Sequence, residues 1–217
     1  MVPDIALIIV IGYLLGSVPF GLIITKLVKG IDIREFGSGN IGFTNVLRTV
    51  GVKAGAATLV LDITKGAIPV LIGGAIIGDN TAAIGSFTFD DQGGQVIGAV
   101  AAIIGHNWSV YLKFGGGKGV DTSLGGILAM SPLAGVICFV IGVGTMATSR
   151  YVSLGSIVGG CSSIIVLGIM VTVDRAPVEY LIYAVIVAVL IIFRHRGNIR
   201  NLCSGTEHKI GQRGEKR

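Results

Sequence analysis

Gly119-Val120-Asp121-Thr122-Ser123-Leu124-Gly125-Gly126-Ile127-Leu128-Ala129-Met130-Ser131-Pro132 is the stretch on which the topology of the chain turns. A spanning helix needs about 20 apolar residues. Only 11 lie between Gly119 and the Ser131-Pro132 break. Such a segment either re-enters the membrane or starts at the glycine run inside the protein. Six longer apolar runs accompany it, at about 5–27, 54–78, 95–112, 133–149, 152–172 and 178–193. Charge placement decides between the two readings. With the N-terminus outside and seven crossings, the inside holds Lys26, Lys29, Arg34, Arg48, Lys53, Lys113, Lys118, Arg150 and the basic tail from Arg194. Outside, only Arg175 is basic, beside Asp4, Asp79, Asp90, Asp91, Asp174 and Glu179. That sorting obeys the positive-inside rule. A re-entrant 120–130 would put Arg150 and the basic tail on opposite faces. The expectation is therefore an all-α integral membrane protein of seven transmembrane helices, N-terminus outside and C-terminus cytoplasmic.

Composition agrees. Of 217 residues, 52% are hydrophobic and 13% charged, about half the charge of a soluble domain. Thirty-five glycines suit close helix packing in lipid. The length fits one membrane-embedded domain over 1–217. The net charge of +5 has no basic stripe with interleaved aromatics, which sets nucleic acid aside. The first run, 5–27, lacks a basic n-region and follows Asp4, so it reads as a retained span. Cys138, Cys161 and Cys203 make no disulfide or metal pattern. His106, His195 and His208 have no Cys or carboxylate at ligand spacing, so no metal is expected. The acidic connector from Asp79 to Gly94 reads as an outside loop without a catalytic role.

Three polar clusters carry chemistry. The first is Glu35-Phe36-Gly37-Ser38-Gly39-Asn40-Ile41-Gly42-Phe43-Thr44-Asn45-Val46-Leu47-Arg48. Gly37-x-Gly39-x-x-Gly42, with Asp62 about 20 residues on, mimics a dinucleotide fingerprint, but the flanks are membrane spans and not a βαβ unit. What survives is local. Backbone amides at Gly37–Gly39, Ser38 and Asn40 offer donors, and Arg48 a planar fork for phosphate. A solvated interfacial turn is the alternative. The second is Gly105-His106-Asn107-Trp108 and then Phe114-Gly115-Gly116-Gly117-Lys118-Gly119. A glycine run that ends in Lys118 and opens into a helix suits an anion. It is no Walker A loop, since Gly119 stands where Ser or Thr should be. A hinge with a snorkelling Lys118 is the alternative. The third joins Arg150-Tyr151-Val152-Ser153-Leu154-Gly155-Ser156 with Arg194-His195-Arg196-Gly197-Asn198. Ser153 and Ser156 share a helix face, as do His195 and Asn198; small hydroxyls there also serve packing. Asp62 and Lys65, one turn apart within a span, should face the bundle interior, either supporting the site or as a structural pair. All three clusters fall at cytoplasmic helix ends, where they can converge.

With these residues the chain closely resembles the bacterial acyl-phosphate:glycerol-3-phosphate acyltransferase (PlsY) family over nearly its whole length. Gly37-Ser38-Gly39-Asn40-Ile41-Gly42 through Thr44-Asn45-Val46-Leu47-Arg48 resembles the first family motif, and Gly116-Gly117-Lys118-Gly119-Val120 the second. Arg150-Tyr151-Val152-Ser153, Ser156, His195-Arg196, Asn198-Ile199 and Gly205-Thr206-Glu207 resemble the remaining elements, and Leu61-Asp62-x-x-Lys65-Gly66 also matches. The resemblance implies a seven-helix enzyme of the bacterial cytoplasmic (inner) membrane with its site facing the cytoplasm. It would move a fatty acyl group from acyl phosphate to the 1-hydroxyl of glycerol 3-phosphate, giving lysophosphatidic acid and phosphate. No cofactor or metal is implied, because acyl phosphate is already activated. It further implies Ser38, Arg48, Lys118, His195 and Asn198 as catalytic, with Gly37, Gly39, Asn40, Thr44, Asn45, Gly116, Gly117 and Ser153 binding substrate. Four residues depart from the family pattern: Phe43, which stands where Ala is usual, Gly115, where Lys is common, Asp121, where Ala is common, and Asn201, with Arg200 beside it, at a place often held by Arg. The rival class is a membrane transporter for an anionic solute.

Overall fold

The computed structural model describes residues 1–79, 81–84 and 87–211, so Arg213, Lys216 and Arg217 of the basic tail and part of the Asp79–Gly94 connector lie outside it. The first apolar run forms two helices, α1 (Val2–Ser17) and α2 (Phe20–Lys29), and not one uninterrupted span. Pro19 is the cause. It lacks an N–H and steers Val18 out of the helical region, to ψ 117°. The carbonyls this frees are satisfied from elsewhere in the bundle. Ser109 Oγ donates to Ser17 O at 2.6 Å, and Lys65 Nζ to Val18 O at 2.8 Å. In an apolar medium such internal partners are obligatory.

A short α3 (Phe43–Thr49) and the 26-residue α4 (Val52–Ile77) follow. Within the connector, β1 (Ala82–Ile84) pairs antiparallel with β2 (Phe87–Phe89), a small hairpin on a chain that is otherwise all-α as expected. Helix α5 (Asp91–Asn107) starts at Asp90, whose carboxylate accepts from Gly93 N. It ends at Asn107, short of the expected 112. There Ser109 N–H turns to Gly115 O at 2.8 Å, and Lys113 and Phe114 adopt left-handed φ of 52° and 61°. The remaining helices are α6 (Val120–Met130), α7 (Pro132–Ser149), α8 (Val152–Thr172), α9 (Val178–Arg194) and α10 (Arg196–Cys203).

Among the described residues, four helical stretches are long and apolar enough to cross a membrane: Val2–Lys29 as one run, α4, α7 and α8. The α9–α10 pair, bent by 62°, makes a fifth. Their outer faces carry bare apolar side chains at helical spacing, among them Val136 and Val140 on α7, Ile165 and Ile169 on α8, and Val185 and Val189 on α9. A soluble protein would not leave such stripes exposed. The core is tight where helices cross. A Cβ on Gly66 of α4 would run into the Thr122 carbonyl of α6, and one on Gly125 of α6 into the Ile63 carbonyl of α4. These mutual approaches hold the short α6 at the bundle centre, among α4, α5, α7, α8 and α9. Asp62 and Lys65 face that interior as expected, both buried and 2.7 Å apart.

Overpacking a core typically costs about 1–3 kcal/mol, and each kcal/mol moves the melting temperature of a domain this size by about 2–4 °C. Gly66→Ala should therefore lower the thermal midpoint in detergent by several degrees. Gly144→Ala, whose new methyl meets nothing, serves as the control. Equal midpoints would mean that α4 and α6 are not in this close contact.

Candidate active site

The loop after α2 is held by one side chain. Asn45 Nδ2 donates to the carbonyls of Ile33, Phe36 and Asn40 at 2.8–3.2 Å, while its Oδ1 accepts from Ser38 N. Asn45 therefore organises the loop, and it also stands on the wall of the site cavity. The amides expected to serve an anion are partly spent in the same way: Ser38 N on Asn45 and Gly39 N on Phe36 O. Gly37 and Gly39 have φ of 53° and 70°, a region that favours glycine. The result is a tight knuckle that leaves the Ser38 hydroxyl exposed and Arg48 half-buried one helix further on.

The glycine run 115–119 folds back onto the end of α5. Gly117 N donates to His106 O at 3.0 Å. A Cβ at Gly116 would strike the His106 carbonyl, and one at Gly117 the His106 ring. On its other side the run is gripped by Arg194, whose Nε donates to Gly117 O at 2.9 Å and Nη2 to Gly116 O at 3.1 Å. Gly119, at φ 78°, then starts α6.

The third corner is the α9–α10 bend. His195 Nδ1 lies 2.8 Å from Ile191 O. A carbonyl only accepts, so the proton sits on Nδ1 and Nε2 keeps its lone pair. Asn198 Oδ1 accepts from Lys118 Nζ at 2.6 Å, and Asn198 Nδ2 donates to Glu207 Oε1 at 2.7 Å. The same Glu207 oxygen accepts from Ser153 Oγ at 2.6 Å. The tail that carries Glu207 is tethered where Ile210 N donates to Arg150 O.

These corners meet around one cavity of about 580 Å³. Its polar end is lined by Gly37, Ser38, Asn40, Thr44, Asn45, Arg48, Lys118, Ser153, His195 and Asn198. Gly39, Gly116 and Gly117 are not on its wall. Phe43, Asp121 and Asn201 are, so three of the four departures from the family pattern face the cavity. Gly115 is not on the wall. Asp62 and Lys65 stand one layer behind, with His106 Nδ1 4.0 Å from the Asp62 carboxylate. Sequence reasoning named Glu207, in the Gly205-Thr206-Glu207 element, and Arg194, in the third cluster, but gave neither a role at the site.

Electrostatics follow from burial. Lys118 is pushed down to about 8 because burial penalises its charge, with Arg194 and Arg48 adding repulsion and Glu207 opposing them. His195, whose Nδ1 proton is held on the Ile191 carbonyl, presents Nε2 as an acceptor. Burial also lowers Arg48, which stays protonated regardless. The polar end thus presents two cations, an imidazole with a free lone pair, and hydroxyl and amide donors. Such a set grips phosphate and orients an alcohol.

Below that end the wall becomes apolar: Leu124 and Ile127 of α6, Cys138, Phe139 and Met146 of α7, Gly155 to Gly160 of α8, Val187 and Ile191 of α9. Cationic mouth and greasy trough form one continuous space.

Comparison with known proteins gives the geometry a family. Residues 6–205 match the glycerol-3-phosphate acyltransferase family. The glycerol-3-phosphate acyltransferase of Thermoanaerobacter sp. (strain X514) is 43% identical over 206 residues, covering 95% of this chain and 96% of that protein. That of Halalkalibacterium halodurans is 43% identical over 209 residues, covering 96% and 97%. Among solved structures, PlsY (YgiH), an integral membrane glycerol 3-phosphate acyltransferase, superposes in its glycerol 3-phosphate form with a TM-score of 0.82 at 39% identity, over 95% of this chain and 96% of that one. Its lysophosphatidic acid form gives 0.81 at 38% identity, over 95% of each. With its long apolar helices this chain is likewise an integral membrane protein, and it belongs to the glycerol-3-phosphate acyltransferase family.

Proposed function

We propose that this chain transfers a fatty acyl group from acyl phosphate to the 1-hydroxyl of glycerol 3-phosphate, releasing lysophosphatidic acid and inorganic phosphate. The observation that carries the reading is the single cavity with Arg48, Lys118, Ser38, Ser153, His195 and Asn198 at one end and apolar helix walls at the other. A substrate with phosphate at one end and hydrocarbon at the other fits that gradient. An anion transporter would need polar groups continuing toward the far face, where Ile127, Cys138 and Val187 stand instead.

In the proposed reaction Arg48 and Lys118 offset the charges of two phosphates, and Ser38 and Ser153 add hydroxyl donors. The glycerol hydroxyl donates a hydrogen bond to His195 Nε2 while Asn198 holds its phosphate end. The hydroxyl oxygen bonds to the acyl carbon, the acyl carbon–phosphate oxygen bond breaks, and the hydroxyl proton passes to a phosphate oxygen. The proton assignment follows from basicity. A phosphate oxygen that titrates near about 6 is basic enough to take the proton, and it carries the proton away with the released phosphate. His195 therefore orients and does not keep the proton. Positioning two reactants in this way is worth up to ~7–11 kcal/mol, and one oxyanion donor about 2.7–4 kcal/mol more. No cofactor or metal enters the scheme.

The same reading assigns seven membrane passages within one domain over 1–217, N-terminus outside, with the site open to the cytoplasm of a bacterial inner membrane. It is supported by the alternation of helix ends at the cavity. Helices α6 and α8 meet it with their N-terminal residues, and α7 and α9 with residues in their C-terminal halves. Membrane lipid bathes the outer faces, and no nucleic acid is a partner.

Three measurements test the proposal. Purified protein in lipid nanodiscs, given radiolabelled glycerol 3-phosphate, should make lysophosphatidic acid and phosphate one-for-one from acyl phosphate. Turnover with acyl thioesters alone would sink the reading. Next, a charged Lys118 is required for phosphate and is lost as pH rises through about 8. The kcat/KM for glycerol 3-phosphate should fall above that pH in the wild type and hold flat in Lys118→Arg, whose cation does not titrate there. A wild-type profile level to pH 10 would remove Lys118 from the binding role. Finally, the trough runs from Met146 to Cys138 on α7, about 12 Å at 1.5 Å per residue. Cys138→Phe should shorten it. Denying two methylenes, at about 0.8 kcal/mol each, should lower the preference for palmitoyl over octanoyl phosphate more than tenfold. An unchanged ratio would place the chain elsewhere.

A further inference from the structure

We propose that Arg194 is the positioning residue that locks the glycine run carrying Lys118 to the corner of His195 and Asn198, a role that rests on the proposed acyl transfer. Arg194 is the last residue of α9, so it sits next to His195 in the chain and one turn from Asn198. Its guanidinium makes two parallel bonds, Nε to Gly117 O at 2.9 Å and Nη2 to Gly116 O at 3.1 Å. The plane is seated 5.5 Å over the Trp108 ring at the end of α5, and Trp108 in turn lies 6.3 Å from Phe193. One side chain thus ties together the end of α5, the glycine run and the end of α9.

The need for such a tie is conformational. Gly115, Gly116 and Gly117 have no side chains to limit their backbone, so the run has many shapes available to it and needs outside anchors to keep one. Gly117 N on His106 O is the anchor on the α5 side. Arg194 supplies the anchor on the α9 side, and its rigid fork fixes two successive carbonyls at once. A trans peptide points its N–H opposite to its carbonyl. Turning the Gly117 carbonyl toward Arg194 therefore turns the Lys118 amide away from it, and sets the direction in which the Lys118 side chain leaves the run. Lys118 Nζ then closes the loop of contacts on Asn198 Oδ1, 2.6 Å away. Arg194 does not line the cavity wall. It acts through Lys118, without touching substrate.

Position and charge can be separated by experiment. The charged groups that act on Lys118 are Glu207 from the tail, Arg48 from α3 and Arg194 itself. Two variants are compared with wild type in nanodiscs. Arg194→Lys keeps the charge and loses the fork; Arg194→Gln loses both. The first readout needs no turnover: the titration of Lys118, followed by NMR of carbon-13 methylated lysines, its signal assigned by its absence in Lys118→Arg. Arg194→Gln should raise the Lys118 midpoint above its wild-type value of about 8, because a neighbouring cation is gone. A site loosened to water would raise it as well, because burial is the largest cause of its lowering. The comparison is therefore with Arg194→Lys, which loses the fork and keeps the cation: a rise in Arg194→Gln that is absent from Arg194→Lys reports the charge. The second readout is kinetics. Arg194→Lys, with thermal stability near wild type, should lose at least tenfold in kcat/KM for glycerol 3-phosphate, chiefly through KM. An unmoved Lys118 midpoint in Arg194→Gln overturns the proposal, as does wild-type kcat/KM in Arg194→Lys. If wild type proves inactive on acyl phosphate, the proposed function fails, and the titration still decides whether Arg194 sets the surroundings of Lys118. Should Arg194→Gln not fold, the Arg194→Lys kinetics decide.

Discussion

Helix α6 is 11 residues long, about 16 Å at 1.5 Å per residue, in a bundle built for a hydrocarbon layer of about 30 Å. It cannot cross such a layer by itself. The chain resolves this by starting α6 inside the protein, at Gly119, after a glycine run that dips down from the polar face. Everything distinctive about the site follows from that dip. Backbone that leaves helical geometry within a bundle must find its partners in the protein. It finds them in the His106 carbonyl below and the Arg194 fork beside it. The close mutual approach of Gly66 and Gly125 with the facing backbone then keeps α6 central, so that its first turn opens into the cavity.

Depth has an electrostatic consequence. A lysine carried down by the glycine run loses water, and its ammonium becomes easier to discharge. Glu207 counters this from the opposite side. Its carboxylate meets Ser153 and Asn198, and acts through Asn198 on Lys118. The polar end is thus a balanced arrangement in which one acid offsets part of the charge of two buried bases. A pocket with only cations would hold phosphate too tightly to release it, and would lose its protonated lysine sooner. Charge of both signs, arranged so that the cations face the open space, permits both binding and turnover.

Much of this was legible in the residues. The glycine run before 120–130 announced a helix starting within the protein, and the Asp62–Lys65 pair announced an interior face, because each reading follows from the cost of leaving a polar group in lipid. The convergence of the three clusters was legible from charge sorting. What escaped were effects that need three dimensions. That Asn45 spends its amide on three carbonyls cannot be seen from spacing, since Ile33, Phe36 and Asn40 converge only when the loop is folded. The Pro19 break was hidden in an unbroken apolar run, because hydropathy does not register a missing N–H. Arg194 read as a member of the third polar cluster, and Glu207 as part of the Gly205-Thr206-Glu207 element, but neither could be given its partners from spacing. Both act on partners far away in the sequence.

The Asp62–Lys65 pair shows how the structural and functional needs join. Lys65 does two things with one ammonium: it pairs with Asp62 at 2.7 Å and it donates to the Val18 carbonyl freed by Pro19. Removing the lysine would leave a buried carboxylate without its ion-pair partner and the Val18 carbonyl with only the Phe20 N–H, which is why a pair that isolated ion-pair energetics would not favour is retained. Asp62 in turn approaches His106, the residue on which the glycine run rests. The break between α1 and α2, the buried pair and the floor under Lys118 are thus consecutive links in one chain of contacts. A deep structural defect in the first helix and the placement of the phosphate-binding lysine answer to the same ammonium group.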